Sequence, residues 1–228
     1  TGNGSLVAVV GNYRDTPQLI LRSVEEVLLT GLRCNGGTGD CTQPKTTISQ
    51  QFDNVVDGEG VCQECWSNIA VKGGRYWEGT YDDFAWSGTN VIEASGYNST
   101  DAELEIWMIS PAFDLSTSNV PTLSFDSETN YDGDAIEVLV SIDYDGTSDP
   151  NIQGTWTALS PTLPTSTSSW SGWTASGDLD LSFNKGISTY IGFKYTGSAS
   201  DGKTWEIDNI EVVESATGPV LSVSTESN

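Results

Sequence analysis

Residues Leu104 to Val140 read LEIWMISPAFDLSTSNVPTLSFDSETNYDGDAIEVLV, and this stretch decides the fold. It holds an apolar strand ending in Ile109-Ser110-Pro111, a turn, an alternating strand with Leu123 and Phe125, an acidic glycine loop (Tyr131, Asp132, Gly133, Asp134) and another strand. Apolar and polar residues alternating at period two, punctuated by Pro, Gly, Asn and Asp, mark half-buried antiparallel strands. No helical period competes with them here. Working outward, Thr189 to Tyr195 sets Tyr190, Gly192 and Lys194 on one face and Ile191, Phe193 and Tyr195 on the other. Asn90 to Ser95 is a strand, Ser176 to Leu181 a strand or its approach, and Thr204 to Val213 closes the set. In that closing strand Trp205, Ile207 and Asn209 face one way, and Glu206, Asp208 and Ile210 the other. The fold class is all-β, an antiparallel β-sandwich.

Composition narrows the function. Nine Lys and Arg stand against 32 Asp and Glu. Such a surface repels nucleic-acid phosphates and anionic lipid and attracts divalent cations or neutral ligands. The absence of His removes the commonest general base, the commonest transition-metal ligand and every Ser-His or Cys-His nucleophile pair. Carboxylate-only catalysis of the glycosidase kind survives, with Glu78, Asp82, Asp83, Glu93 and Glu128 available and spacing selecting none of them. No apolar run reaches membrane length.

Cys34, Cys41, Cys62 and Cys65 all lie in the first third of the chain, and an even count in an acidic Gly-, Ser- and Thr-rich sequence points to two disulfides and an oxidising, extracellular compartment. Of three possible pairings, Cys34–Cys41 with Cys62–Cys65 is preferred, since each pair encloses a short polar loop. A four-thiolate zinc site is the rival, disfavoured by the six residues between Cys34 and Cys41.

The wording of the central stretch resembles a bacterial family. Trp107-Met-Ile-Ser-Pro-Ala-Phe-Asp-Leu115 is similar to the Ser-Pro phrase of choice-of-anchor J domains, relatives of the cleaved-adhesin and MAM-like jelly rolls. Leu123-Ser-Phe125, Glu137 to Ser141 with Asp143-Tyr144, Trp156 to Leu159, and Trp205 to Ile210 follow in the family's order. The resemblance covers roughly Phe52 to Val213 and implies a jelly roll used as a module of secreted multidomain proteins. The organisation it implies is a jelly roll over residues 48–214, with a linker loop at 34–47 before it. Residues 1–33 read as a hairpin extension whose Gly11-Asn-Tyr-Arg-Asp-Thr-Pro-Gln-Leu-Ile-Leu-Arg22 resembles the closing hairpin of an OB-like domain; the alternative is that its strands extend the main sheet. Residues 215–228 form a linker and the stub of an Ig-like domain, so covalently joined neighbouring domains are expected.

In such jelly rolls the first and last strands lie side by side, and the resemblance implies a structural Ca²⁺ between their acids. Here those positions are Asp53 and Asp208, each followed by an Asn; Asn209, Glu105 and the Asp132-Gly133-Asp134 loop could add ligands. The carboxylate that the family carries just before the Trp of its Ser-Pro phrase is replaced by Ile106.

A sugar-binding surface is the second candidate, because aromatic rings with a few placed polar groups suit a carbohydrate. Trp86, Trp170 and Trp173 sit in Gly/Ser-rich loops and are its candidates, whereas Trp77, Trp107, Trp156 and Trp205 lie on strands and belong to the core. The expected role is a non-catalytic, secreted accessory or adhesive module that binds a polysaccharide or cell-surface glycan. A spacer without a sugar site and a carboxylate-dependent polysaccharide-degrading enzyme are the alternatives.

Overall fold

A computed structural model of the protein describes residues 40–81 and 90–214, together with the backbone of four strands within residues 3–31. Those four are β1 (Asn3–Leu6), β2 (Val9–Tyr13), β3 (Thr16–Ile20) and β4 (Val27–Gly31). β1 pairs with β4 and β2 with β3, where the sequence reads as only two strands, Leu6 to Val10 and Leu19 to Arg22. Of the expected linker at 34–47, residues 34–39 lie outside the described residues, as does the expected linker and stub at 215–228.

The remaining strands form two antiparallel sheets. The larger has seven strands: β13 (Thr174–Ala175), β10 (Pro121–Asn130), β16 (Thr204–Glu214), β8 (Asn90–Ser95) and β7 (Glu78–Tyr81) in that order, with β14 (Leu179–Asp180) also on β10 and β5 (Ile48–Gln50) also on β16. The smaller runs β12 (Thr157–Ala158), β11 (Glu137–Ser141), β15 (Tyr190–Gly197), β9 (Leu104–Ile109) and β6 (Ser67–Lys72). The all-β sandwich is therefore present, with no helix among the described residues.

Period two fills the space between the sheets. Ile92 and Ala94, Leu123 and Phe125, and Trp205 and Ile207 come from the larger sheet; Ile106 and Met108, Val138 and Val140, and Ile191, Phe193 and Tyr195 come from the smaller. Burying each Val, Leu, Ile, Phe or Met side chain among them contributes roughly 1.5–3 kcal/mol. The Ser-Pro phrase extends β9 along β15: Ile191 N–H donates to Ser110 Oγ at 2.9 Å, and Phe113 and Leu115 are fully buried.

β9 is buried along its whole length, because its outward residues have a cover of their own. Trp107 and Ile109 pack with Leu139 and Tyr144, backed by Trp156 and Tyr190, on the outer side of the smaller sheet. The Trp107 and Trp156 rings are 5.1 Å apart. Two of the four tryptophans expected in the core thus occupy this second cluster, while Trp77 and Trp205 are fully buried in the first.

β16 departs from simple alternation. Ser124 pairs with Glu211 but Asp126 with Asp208, so β16 carries one extra residue between them. Asn209 sits at φ 52°, a conformation that Asn tolerates better than most residues. This bulge resets the phase, and Ile210 joins Trp205 and Ile207 inside. The sequence expectation that Ile210 faces opposite to Trp205 and Ile207 is corrected by it.

Candidate functional site

The first and last strands of the sandwich do meet, since Gln50 of β5 pairs with Ile210 of β16. Asp53, just past β5, and Asp208, on β16, lie on this pair of strands. Phe52 turns at φ 51° and drops its ring into the core. That turn leaves Asp53 exposed, with its carbonyl accepting from Asn90 Nδ2 at 3.0 Å. Asp208 is fully buried, and the Asn209 amide donates to Asp126 Oδ2 at 2.9 Å. Glu105 lies on the other sheet, where it accepts from Trp107 Nε1 at 3.1 Å and Asn151 Nδ2 at 2.6 Å. Among the described residues no group of three or more Cys, Asp and Glu is spaced to hold a metal ion.

The preferred cysteine pairing is overturned. Cys41 is bonded to Cys65, with Cα atoms 5.4 Å apart. Strand pairing decides this over loop length. Ser67 pairs with Ile109 at the end of β9, which brings Cys65 to that end. Lys45 donates to Ala112 and accepts from Asp114 just beyond it, which brings Cys41 to the same place. Two disulfides then require Cys34 to pair with Cys62; Cys34 lies outside the described residues.

Of the three candidate sugar-binding tryptophans, Trp86 also lies outside them. Trp173 is half-buried beside Thr174, which pairs with Ser127 of β10. Trp170 is 46% exposed. It is held at the upper end of β10 by its neighbour, since Ser171 N–H donates to Thr129 O at 2.9 Å and Thr129 N–H to Ser171 Oγ at 3.0 Å.

Strand register assembles two further groups that the sequence does not show. The first is a row of glutamates across the outer face of the larger sheet: Glu128 opposite Glu206, Glu206 opposite Glu93, and Glu93 opposite Glu78. Their neighbours Ile92, Ala94, Trp205 and Ile207 point into the core, so the carboxylates share the other face. Glu128 and Glu206 are only 5% and 4% exposed. Like charges directly opposite on adjacent strands are destabilising. Burial, and then the Glu78 carboxylate, push the Glu93 carboxyl above its ordinary range; Arg75 and a hydrogen bond with Glu206 pull it back, and Asp57 adds to the rise.

A carboxyl whose folded pKa is raised stays protonated in the native state after the unfolded chain has ionised. Its contribution to stability is greatest below the unfolded pKa and is lost as pH rises towards the folded value. Glu93→Gln is therefore expected to stabilise the fold at pH 7.5 by roughly 0.2–1 kcal/mol, the scale of a cross-strand charge pair, and to change little at pH 4. Melting curves at the two pH values check this; equal shifts at both contradict it.

The second group lies at one end of the same sheet. β10 ends, β16 begins and β8 ends there, as the pairs Asn130–Thr204 and Thr204–Ser95 show. The loops that follow present Tyr97 and Tyr131, 56% and 41% exposed, with rings stacked 5.9 Å apart and 11° from parallel. Arg75 Nη2 donates to Tyr97 O at 2.9 Å, and Lys203 Nζ to Gly133 O at 3.2 Å. With Trp170 beyond β10, three exposed rings come off this end.

No curated protein matches the chain. The fold is similar to a cleaved adhesin domain of Lys-gingipain (Kgp) from Porphyromonas gingivalis, at 16% identity over 75% of this chain and 99% of that one, with a TM-score of 0.50. At that identity the likeness is one of fold, and at that level the cleaved-adhesin resemblance holds. Weaker likenesses are to the CBM22-1 xylan-binding domain of Xyn10C from Paenibacillus barcinonensis (16% identity, 77% and 99% coverage, TM-score 0.38) and to TmCBM61, solved in complex with β-1,4-galactotriose (14%, 66% and 88%, 0.40). The family described as a domain of unknown function (DUF5017) matches residues 113–227, the half of the chain that contains β10 to β16, and the chain belongs to that family.

Proposed function

We propose that the protein is a secreted, non-catalytic module that binds a polysaccharide or cell-surface glycan. The observation that carries this reading is Trp170, a large indole 46% exposed on a loop of small polar residues, next to Ser171, whose N–H and Oγ are bonded to the Thr129 backbone of β10. Nearly half of that residue's surface stays in water, and an exposed aromatic face with nearby polar groups suits the apolar face of a pyranose. The disulfide between Cys41 and Cys65 supports an oxidising, extracellular setting. Against an enzyme, the glutamate row is closed to solvent at Glu128 and Glu206, and a glycosidase needs its carboxyls along a groove that a polymer can enter.

Affinity electrophoresis through gels containing soluble polysaccharide tests the reading. The wild-type chain is expected to be retarded, and Trp170→Ala to lose about tenfold in affinity with stability changed by no more than about 0.5 kcal/mol. Unretarded migration through every gel would leave a spacer module in its place.

A further inference from the structure

We propose that the Tyr97–Tyr131 stack is the docking platform for an uncharged pyranose chain, which runs from it across the end of the larger sheet to Trp170. The proposal rests on the glycan-binding reading and gives it a site and a ligand class. Tyr97 and Tyr131, 56% and 41% exposed, keep a large part of their surface in water while their rings stack nearly parallel. A tyrosine combines such a face with a hydroxyl that can bond a sugar.

The platform is held in place. Tyr131 adopts φ 67°, a region costly for a bulky side chain and one that persists only where the surroundings fix it. Gly133 and Gly96 supply the fixing. A Cβ on Gly133 would collide with the Asp201 carboxylate, and one on Gly96 with the Asp201 and Ser198 carbonyls. The loop of Tyr97 is tied in turn by Ala199 N–H donating to Asp101 O at 2.8 Å and Gly74 N–H to Asp101 Oδ2 at 3.1 Å. Sites that bind without reorganising lose less on association.

Charge sets the ligand class. Asp101, Asp132, Asp134 and Asp201 belong to these loops, and the two cations there are already engaged. Arg75 is bonded to the Tyr97 carbonyl; Lys203 is bonded to the Gly133 carbonyl and lies 5.3 Å over the Trp205 ring. Carboxylates accept from sugar hydroxyls and repel uronates and sulfates. From the Trp170 segment across β10 and β16 to β8 is three strand spacings, about 15 Å, so the surface suits several residues of an extended chain rather than one sugar.

The test is isothermal titration of the wild-type chain, Tyr97→Ala and Tyr131→Gly with a neutral xylan, a neutral galactan and polygalacturonate. Wild type is expected to bind at least one neutral polymer and not polygalacturonate, and each variant to weaken neutral binding by about tenfold or more. Tyr131→Gly also removes the positive-φ cost, so its melting temperature should hold or rise, which separates loss of binding from loss of fold. Variants that bind as wild type does, or a wild type that prefers polygalacturonate, overturn the platform while the glycan reading stands. A wild type that binds no polymer removes both.

Discussion

Trp205→Ala should destabilise the protein by about 3–5 kcal/mol, the range for truncating a fully buried tryptophan. Trp205 has no exposed surface and lies in β16 between Thr129 of β10 and Ala94 of β8. The void would open in the middle of the larger sheet, where neighbours on both sides are tied by ladder bonds and cannot collapse into it. The indole N–H is also bonded to Asp134 O at 3.1 Å, so its loss leaves an acceptor of the Tyr131 loop without that donor. Domains carry about 5–15 kcal/mol in all, and a loss of this size brings the variant close to unfolding. Urea denaturation measures it directly. A cost near 1 kcal/mol would mean that the residue is not at the centre of a packed sandwich.

The second large effect concerns the crosslink. Cys41 and Cys65 are 24 residues apart, and closing a loop of that length removes unfolded-state entropy equivalent to about 3.5 kcal/mol. Replacing both by Ser, so that no unpaired thiol is left behind, should cost about 3 kcal/mol in denaturation experiments. Peptide mapping without reductant should recover the Cys41–Cys65 crosslink and Cys34 joined to Cys62. A crosslink within Cys62–Cys65 would contradict the pairing, and with it the placement of both segments at the end of β9.

The parts of this fold that sequence reveals are those where one strand's own alternation carries the signal. β8, β9, β10, β11, β15 and β16 are legible because apolar residues recur at every second position between Pro, Gly and Asp turns. β7, Glu78-Gly-Thr-Tyr81, has no such pattern, and β12 and β13 have two residues each. They exist because a neighbouring strand has free backbone groups to pair with. Phase errors have a similar origin. Asp208-Asn209 reads as two more strand positions until pairing with β10 places a bulge there.

The site is less legible still, because it is a product of register. Glu78, Glu93, Glu128 and Glu206 are scattered through the chain and form a row only after four strands align. Tyr97 and Tyr131 belong to turns that sequence marks as exposed, but nothing local says that the two turns adjoin across the start of β16. Trp170 was accessible to sequence reasoning because its Ser-rich surroundings offer it no core. Glu105 shows the same limit: it lies on β9, in the opposite sheet from Asp208, and strand assignment alone does not say which sheet a strand joins.

Backbone and indole NMR during titration with a neutral xylo- or galacto-oligosaccharide tests the central claim most directly, since each part of the surface reports separately. The account predicts progressive shifts of the Trp170 indole N–H and of the Tyr97 and Tyr131 amides, with the buried Trp77 and Trp205 indoles moving little. A spectrum unchanged by any neutral oligosaccharide, or shifts gathered instead around the exposed Phe183 and Ile187, would contradict it.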